Sequence, residues 1–137
     1  MNITIETIVR SPIDKVWAAY TTPENILQWN TASDDWHTTT SSVELRVGGQ
    51  FSSRMEAKDG SFGFDFAGTY TKIIPNELIE YTFDERSAAV EFIETEEGVR
   101  VRVTFVAEAE HTVEQQQQGW QAILNRFAKH VENKHPR

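Results

Sequence analysis

The sequence predicts an α+β domain in which a curved antiparallel sheet wraps around one long C-terminal helix. Residues 112–134 have an apolar stripe with helical spacing, whereas most of the preceding chain consists of short alternating segments separated by turns. The stripe consists of Val113, Trp120, Leu124, Phe127 and Val131. A curved sheet that grips a long helix leaves space between the two, and this space is a candidate functional element.

The length predicts one domain over residues 1–137. Without a phosphate loop or a nucleotide fingerprint, no cofactor is expected. Hydrophobic residues make up 39% of the chain, including eight Phe and four Trp, which is enough for a packed core. The net charge of −8 argues against nucleic acid and anionic membranes as partners, because both attract positive patches. The absence of cysteine excludes disulfides, thiolate nucleophiles and cysteine-bound metals. Without a long apolar run or a signal-peptide core, the chain is expected to be cytoplasmic.

The N-terminal part predicts one strand and two short helices. Ile3 and Ile5 alternate with polar residues, as in a half-buried strand. Ser11 is the expected N-cap of the first helix, with Pro12 in its first turn. Thr22 and the proline after it repeat this start signal, so two helices in series are expected within residues 12–30.

The middle of the chain predicts a polar loop followed by six strands. The loop covers residues 30–42 and carries Trp36 and His37. Asp59-Gly60 and Pro75-Asn76 are the turn signals that delimit two hairpins. The strands are expected near residues 43–47, 49–57, 62–74, 77–84, 88–95 and 98–108.

The two turns predict the register of the hairpins and one aromatic face. A hairpin centred on Asp59-Gly60 places Ser53 opposite Phe66. A turn at Pro75-Asn76 places Tyr70 opposite Tyr81. The resulting inner face carries Phe51, Met55, Phe62, Phe64, Phe66, Tyr70, Tyr81 and Phe83. The other face is charged, as expected for an antiparallel sheet that is covered on one side.

The final helix has a clear start signal. Thr112 and Gln115 have the spacing of a capping box, in which each side chain bonds the other residue's backbone amide. Trp120, Leu124 and Phe127 are expected to face the sheet. Gly119 is the weak point, because glycine inside a helix costs about 1 kcal/mol relative to alanine.

The order of elements and several local motifs resemble the START-like superfamily. The motifs are residues 11–17, 22–24 with Trp29, 46–51, 68–70 with Pro75, and 119–120. They are most similar to the branch related to the C-terminal domain of the heat-shock chaperone's ATPase activator. The resemblance covers nearly the whole chain and implies the helix-grip fold with an internal, mostly apolar cavity. It does not imply a particular reaction.

The first functional hypothesis is that a small apolar molecule, aromatic or lipid-like, binds between the sheet and the helix. Ser53 is small among large inner residues and would leave volume there. The alternative is a filled hydrophobic core, since aromatic faces usually pack. The candidate ligand-binding residues are Trp36, His37, Phe51, Ser53, Met55, Phe64, Phe66, Tyr70, Tyr81, Phe83, Trp120, Leu124 and Phe127.

Two other hypotheses remain open. A cyclase or hydrolase would need a base, for which His37, tuned by Asp34 and Asp35, is the candidate. The same loop could simply be exposed, and a metal site there is less favoured because no second histidine has ligand spacing. A co-chaperone-like interaction module is the other hypothesis, weakened by the absence of the chaperone activators' additional N-terminal domain.

The charged face of the predicted sheet carries a possible ion pair. Arg54 and Asp65, with Glu56 nearby, could grip a substrate carboxylate, or they could form an exposed cross-strand ion pair. The predicted register favours the exposed pair.

Overall fold

The computed structural model describes residues 1–136. The first half of this part contains two helices and three strands: β1 (Asn2–Val9), α1 (Ile13–Thr21), α2 (Pro23–Trp29), β2 (Trp36–Val43) and β3 (Gln50–Ala57). The second half contains β4 (Gly63–Ile74), β5 (Leu78–Phe83), β6 (Arg86–Glu94), β7 (Val99–Val106) and α3 (Val113–Lys134).

The strands form a single antiparallel sheet that curves around α3. Their order is β1-β7-β6-β5-β4-β3-β2. The long helix packs most extensively against β1, and α1 and α2 also contact it. The architecture is therefore an α+β helix-grip fold, as the sequence predicted.

The prediction of a polar loop over residues 30–42 was wrong in its second half. Trp36–Val43 forms β2, an edge strand paired with β3, and the predicted strand near 43–47 is instead the connection to β3. β2 lacks an apolar face, but its β-branched threonines suit a strand. Thr38 is buried and donates a hydrogen bond to the Asn30 carbonyl at 2.8 Å, which fixes β2 to the end of α2.

The predicted register of the central hairpins is confirmed. Ser53 faces Phe66 across β3 and β4, and Tyr70 faces Tyr81 across β4 and β5. The second pairing depends on an irregularity of the ladder between Tyr70 and Lys72, which the turn signal did not reveal. Phe62 was wrongly assigned to the inner face: it lies just before the first residue of β4 and is 64% exposed.

The long helix begins with the predicted capping box. The Gln115 amide donates to the Thr112 hydroxyl, and the Gln115 side chain accepts from the Thr112 amide. The helix continues unbroken through Gly119. At its start the structure departs from the predicted stripe, because Val113 is exposed and Gln116 is buried.

Ser11 does not cap α1, contrary to the prediction. Pro12 occupies the N-cap position without a side-chain cap bond. The Ser11 hydroxyl instead donates to the His135 carbonyl at 2.6 Å. This bond connects the start of α1 to the end of α3, two points that lie more than a hundred residues apart in the sequence.

No helix in residues 1–136 is long and apolar enough to cross a membrane.

We expect Arg54→Ala to leave the urea denaturation midpoint almost unchanged. Arg54 Nε donates to Glu56 at 3.1 Å and Nη1 lies 3.6 Å from Asp65, and the three side chains are 39%, 38% and 63% exposed. Solvent screens such pairs, so their loss has little effect. Chemical denaturation followed by circular dichroism measures the midpoint, with Lys72→Ala as the control for deleting an exposed charge. A large drop specific to Arg54 would contradict the exposed pairing.

Candidate functional site

A cavity of about 450 Å³ lies between the concave face of the sheet and α3. Nine of the predicted ligand-binding residues line it. From the sheet these are Phe51, Ser53, Met55, Phe64, Phe66, Tyr70 and Tyr81, and from the helix Trp120 and Leu124. Five of these seven sheet residues are aromatic, as the alternation of the strands indicates.

Two small residues keep space open in these walls. Ser53 is 5% exposed, and its hydroxyl lies 3.3 Å from that of Ser41 on β2. Gly119 lines the cavity from α3, and a Cβ added there would meet no atom within 4 Å. The glycine that weakens the helix locally therefore widens the cavity beside it.

The helix wall is held in place by ring packing. Trp120 stacks on Phe105 of β7, with ring centroids 3.8 Å apart and an interplanar angle of 9°. It also meets Phe66 edge-on at 6.1 Å. Contacts of this kind add to the stabilisation from burial and restrict the orientation of the ring.

Two predicted ligand-binding residues lie behind the walls. Phe127 is fully buried, with its ring centroid 5.2 Å from that of Tyr20 and 5.0 Å from that of Trp29. Phe83 is 3% exposed and packs against the rings of Phe66 and Trp120. Neither lines the cavity, so both act as packing behind it.

The other two predicted residues, Trp36 and His37, lie on β2 outside the cavity lining. Trp36 contacts the rings of Phe62 and Phe64 at 6.0 and 5.9 Å. His37 is exposed and is paired with Glu56 in the β2–β3 ladder. A catalytic hypothesis based on His37 therefore has no support from its position.

Asp34, one of the two acidic residues near His37, bonds the long helix and not His37. Asp34 accepts a hydrogen bond from Arg126 of α3 at 2.7 Å. This bond lowers the pKa of the Asp34 carboxyl. Asp34 thus connects the segment before β2 to the long helix.

Three tyrosines line the cavity. Tyr20 of α1 lines it together with Tyr70 and Tyr81 of the sheet. Burial raises the pKa of Tyr70 to about 12, and burial raises the pKa values of Tyr20 and Tyr81 as well. All three phenols are therefore protonated, and able to donate, across the physiological pH range.

A polar group of residues lines the cavity where β7 leads into α3. His111 Nδ1 lies 2.7 Å from Glu108 Oε1, and the His111 amide donates to the same oxygen. Burial opposes ionisation of Glu108, but the hydrogen bonds from His111 outweigh it and lower the Glu108 pKa. The buried Gln116 side chain accepts from the Glu108 amide and donates to the Glu108 and His111 carbonyls, which fixes this segment.

The segment between β7 and α3 also carries three side chains that could bind a metal ion together. Glu108, Glu110 and His111 each present one, all within 4.8 Å of one another. Glu110 and His111 are exposed, and such groups are common in proteins without a bound ion. The cluster could hold a divalent cation but is not built around a buried site.

Arg86 is the cation of the cavity lining. Its Nη1 donates to the Val106 carbonyl at 3.0 Å, and its guanidinium lies 4.4 Å from the centroid of the Phe83 ring.

Sequence reasoning missed Arg86, Glu108, His111 and Gln116 as lining residues, because β6 and the segment after β7 carry no motif. It assigned Tyr20 only to the apolar face of α1, although its phenol group was a signal for a polar contact in the cavity.

Comparison with known proteins identifies the family. The sequence model described as Activator of Hsp90 ATPase homolog 1-like protein matches residues 10–132. The chain belongs to this family. The START-like resemblance predicted from its motifs is thereby confirmed. A comparison with curated proteins finds no match.

Solved structures agree with this assignment. The AHSA1-like protein from Aeromonas hydrophila, solved by NMR, is 46% identical to this chain. The two superpose with a TM-score of 0.92 over 98% of this chain and 94% of the Aeromonas protein. A Cytophaga hutchinsonii protein is 41% identical, with a TM-score of 0.84 over 97% and 93% of the two chains. A Nitrosomonas europaea protein is 18% identical, with a TM-score of 0.83 over 98% and 96%, and shows the shared fold alone.

Proposed function

We propose that this AHSA1-like protein binds a small apolar molecule in the cavity between the sheet and α3. The observation that carries the proposal is the cavity itself, about 450 Å³ in volume and lined mostly by apolar side chains. Ligand sites typically measure about 300–1,000 Å³ and combine an apolar lining with a few polar groups. The binding free energy would come mainly from apolar burial, at about 25 cal/mol per Å².

The test is an NMR titration of the full chain with fluorene, a rigid tricyclic hydrocarbon. We expect amide shifts near Ser53, Tyr81, Trp120 and Leu124, which line the cavity. Because a ligand that binds only the native state stabilises it, fluorene at a hundred times its dissociation constant should add about 2.7 kcal/mol to the free energy of unfolding. If the cavity amides do not shift and the unfolding midpoint does not move, the proposal fails.

A second candidate function is interaction with an Hsp90-type chaperone. The family description supports it, and so does an exposed aromatic cluster formed by Trp36, Phe62 and Phe64. Phe62 is 64% exposed and Phe64 41% exposed. Exposed apolar patches of this kind often mark protein-binding surfaces.

The ATPase rate of a purified Hsp90 distinguishes this candidate from the first. A rate that changes with the wild-type protein but not with Phe62→Ser would support it. An unchanged rate with both proteins would contradict this candidate. The cytoplasmic location inferred from the sequence stays a prediction.

A further inference from the structure

Every tyrosine of the chain lines the cavity. The sequence contains three tyrosines, Tyr20, Tyr70 and Tyr81, and all three are lining residues. Tyr70 and Tyr81 are 7% and 5% exposed. The phenols are therefore concentrated in one buried space and do not lie at the wet surface, where tyrosine is common.

The hydroxyls of these tyrosines bond no other group within residues 1–136. The backbone and side-chain hydrogen bonds of this part of the chain include none from a tyrosine hydroxyl. Yet no half-buried or buried side chain there has a polar atom that is both inaccessible and without a partner. The three phenolic oxygens must therefore keep accessible surface, and the cavity is the space that all three tyrosines line.

The fold places two of the hydroxyl-bearing rings side by side. Tyr70 and Tyr81 are directly paired residues of β4 and β5, a position that puts neighbouring Cβ atoms about 4.5–5.5 Å apart. Phe51 packs against both, with ring centroids 5.2 and 5.0 Å away. Tyr20 comes from α1 and is held by Trp29 and Phe127, with centroids at 5.3 and 5.2 Å.

The chemistry of the three phenols favours a ligand whose polar group is an uncharged oxygen. Burial raises the pKa of all three phenols, and neighbouring phenols raise the pKa values of Tyr20 and Tyr81 further, so the groups are close and remain protonated. Each can donate one hydrogen bond. An ionised ligand group would have to lose its hydration in the same apolar surroundings, at a large cost. The cation of the lining, Arg86, is already held by the Val106 carbonyl and the Phe83 ring.

From these observations, and resting on the proposed function, we propose that the ligand carries a neutral carbonyl or hydroxyl oxygen at its buried end. The hydroxyls of Tyr20, Tyr70 and Tyr81 form the polar patch that binds this oxygen and sets the ligand's orientation. The apolar walls supply affinity, and the tyrosines supply selection among apolar molecules of similar shape.

The test compares fluorenone with fluorene, two tricyclic probes of similar shape in which the methylene bridge of fluorene is replaced by the carbonyl of fluorenone. Fluorenone should bind the wild-type protein about tenfold more tightly, the factor that one satisfied hydrogen bond of ~1.4 kcal/mol provides. A purely apolar cavity would show the opposite preference, because the carbonyl loses hydration on binding. NMR titration gives both dissociation constants under the same conditions.

The triple variant Tyr20→Phe/Tyr70→Phe/Tyr81→Phe removes only the hydroxyls. It keeps the rings and should lose the preference for fluorenone, measured as the ratio of the two dissociation constants in this variant. Ser52→Ala is the control: it deletes a hydroxyl of β3 that lies outside the cavity lining, and it should keep the preference. A preference that persists in the triple variant would assign it to another lining group, such as Asn30 or Arg86, and overturn the inference.

The wild type alone provides a second measurement if the triple variant does not fold. Tyrosine labelled with ¹³C at the phenolic ζ carbon gives three signals, all from the cavity. At equal occupancy, fluorenone should shift them more than fluorene does. Equal affinities and equal shifts would overturn this inference and leave the proposed function standing, whereas no binding of either probe would overturn both.

Discussion

Replacing Phe127 with alanine is expected to lower the free energy of unfolding by about 3–5 kcal/mol, the usual range for a buried phenylalanine. Phe127 is fully buried, and its ring joins α3 to the rings of Tyr20 on α1 and Trp29 on α2. Its loss removes apolar burial and leaves a hole where three helices meet. Urea denaturation followed by circular dichroism measures the change.

Phe62→Ala is the matched control for this deletion. Phe62 is 64% exposed, so removing the same ring there should have little effect on stability. Phe127→Ala should also weaken fluorene binding, because Tyr20 and Trp29 lose their support behind the cavity. Equal effects of the two variants would show that the α3 contact with α1 and α2 is not a main source of stability.

Replacing Ser53 with tryptophan is expected to abolish most of the affinity for fluorene. The indole would occupy the space that Ser53 leaves beside the aromatic wall. Displacing about 100 Å² of buried ligand surface costs about 2.5 kcal/mol at ~25 cal/mol per Å². This corresponds to a roughly 60-fold rise in the dissociation constant.

Ser52→Trp introduces the same ring at the neighbouring position of β3. Successive strand residues point to opposite faces, and Ser52 is outside the cavity lining, so this variant should bind fluorene normally. Dispersed amide spectra of both variants would show that they fold. Normal binding by Ser53→Trp would place the ligand somewhere other than this cavity.

The sequence predicts the central hairpins well, because strand alternation and turn chemistry are local. Asp59-Gly60 fixed the pairing of Ser53 with Phe66, and Gly60 adopts the positive φ of 78° that the turn requires. The same local rules failed for β2. Its pairing with β3 and the bond from Thr38 to Asn30 stabilise a strand that has no apolar face of its own.

The candidate site was only partly accessible to sequence reasoning. Alternation assigned Phe51, Ser53, Tyr70 and Tyr81 to one face, but it could not show which aromatic rings border empty space. Phe127 and Phe51 look equivalent in a pattern of apolar positions. Only the helix packing shows that Phe127 is enclosed by other rings and that Phe51 borders the cavity.

The sequence by itself determined the α+β class, the order of most elements, the capped C-terminal helix and the aromatic inner face, since each depends on local periodicity, turn residues and capping. Only the tertiary structure decided that sheet and helix do not meet completely and that a cavity of about 450 Å³ remains. It also brought Tyr20 to the same space as Tyr70 and Tyr81, and it placed Glu108 and His111 at that cavity. The physical reason is that a cavity depends on sheet curvature and on contacts between residues far apart in the chain, which local patterns do not specify.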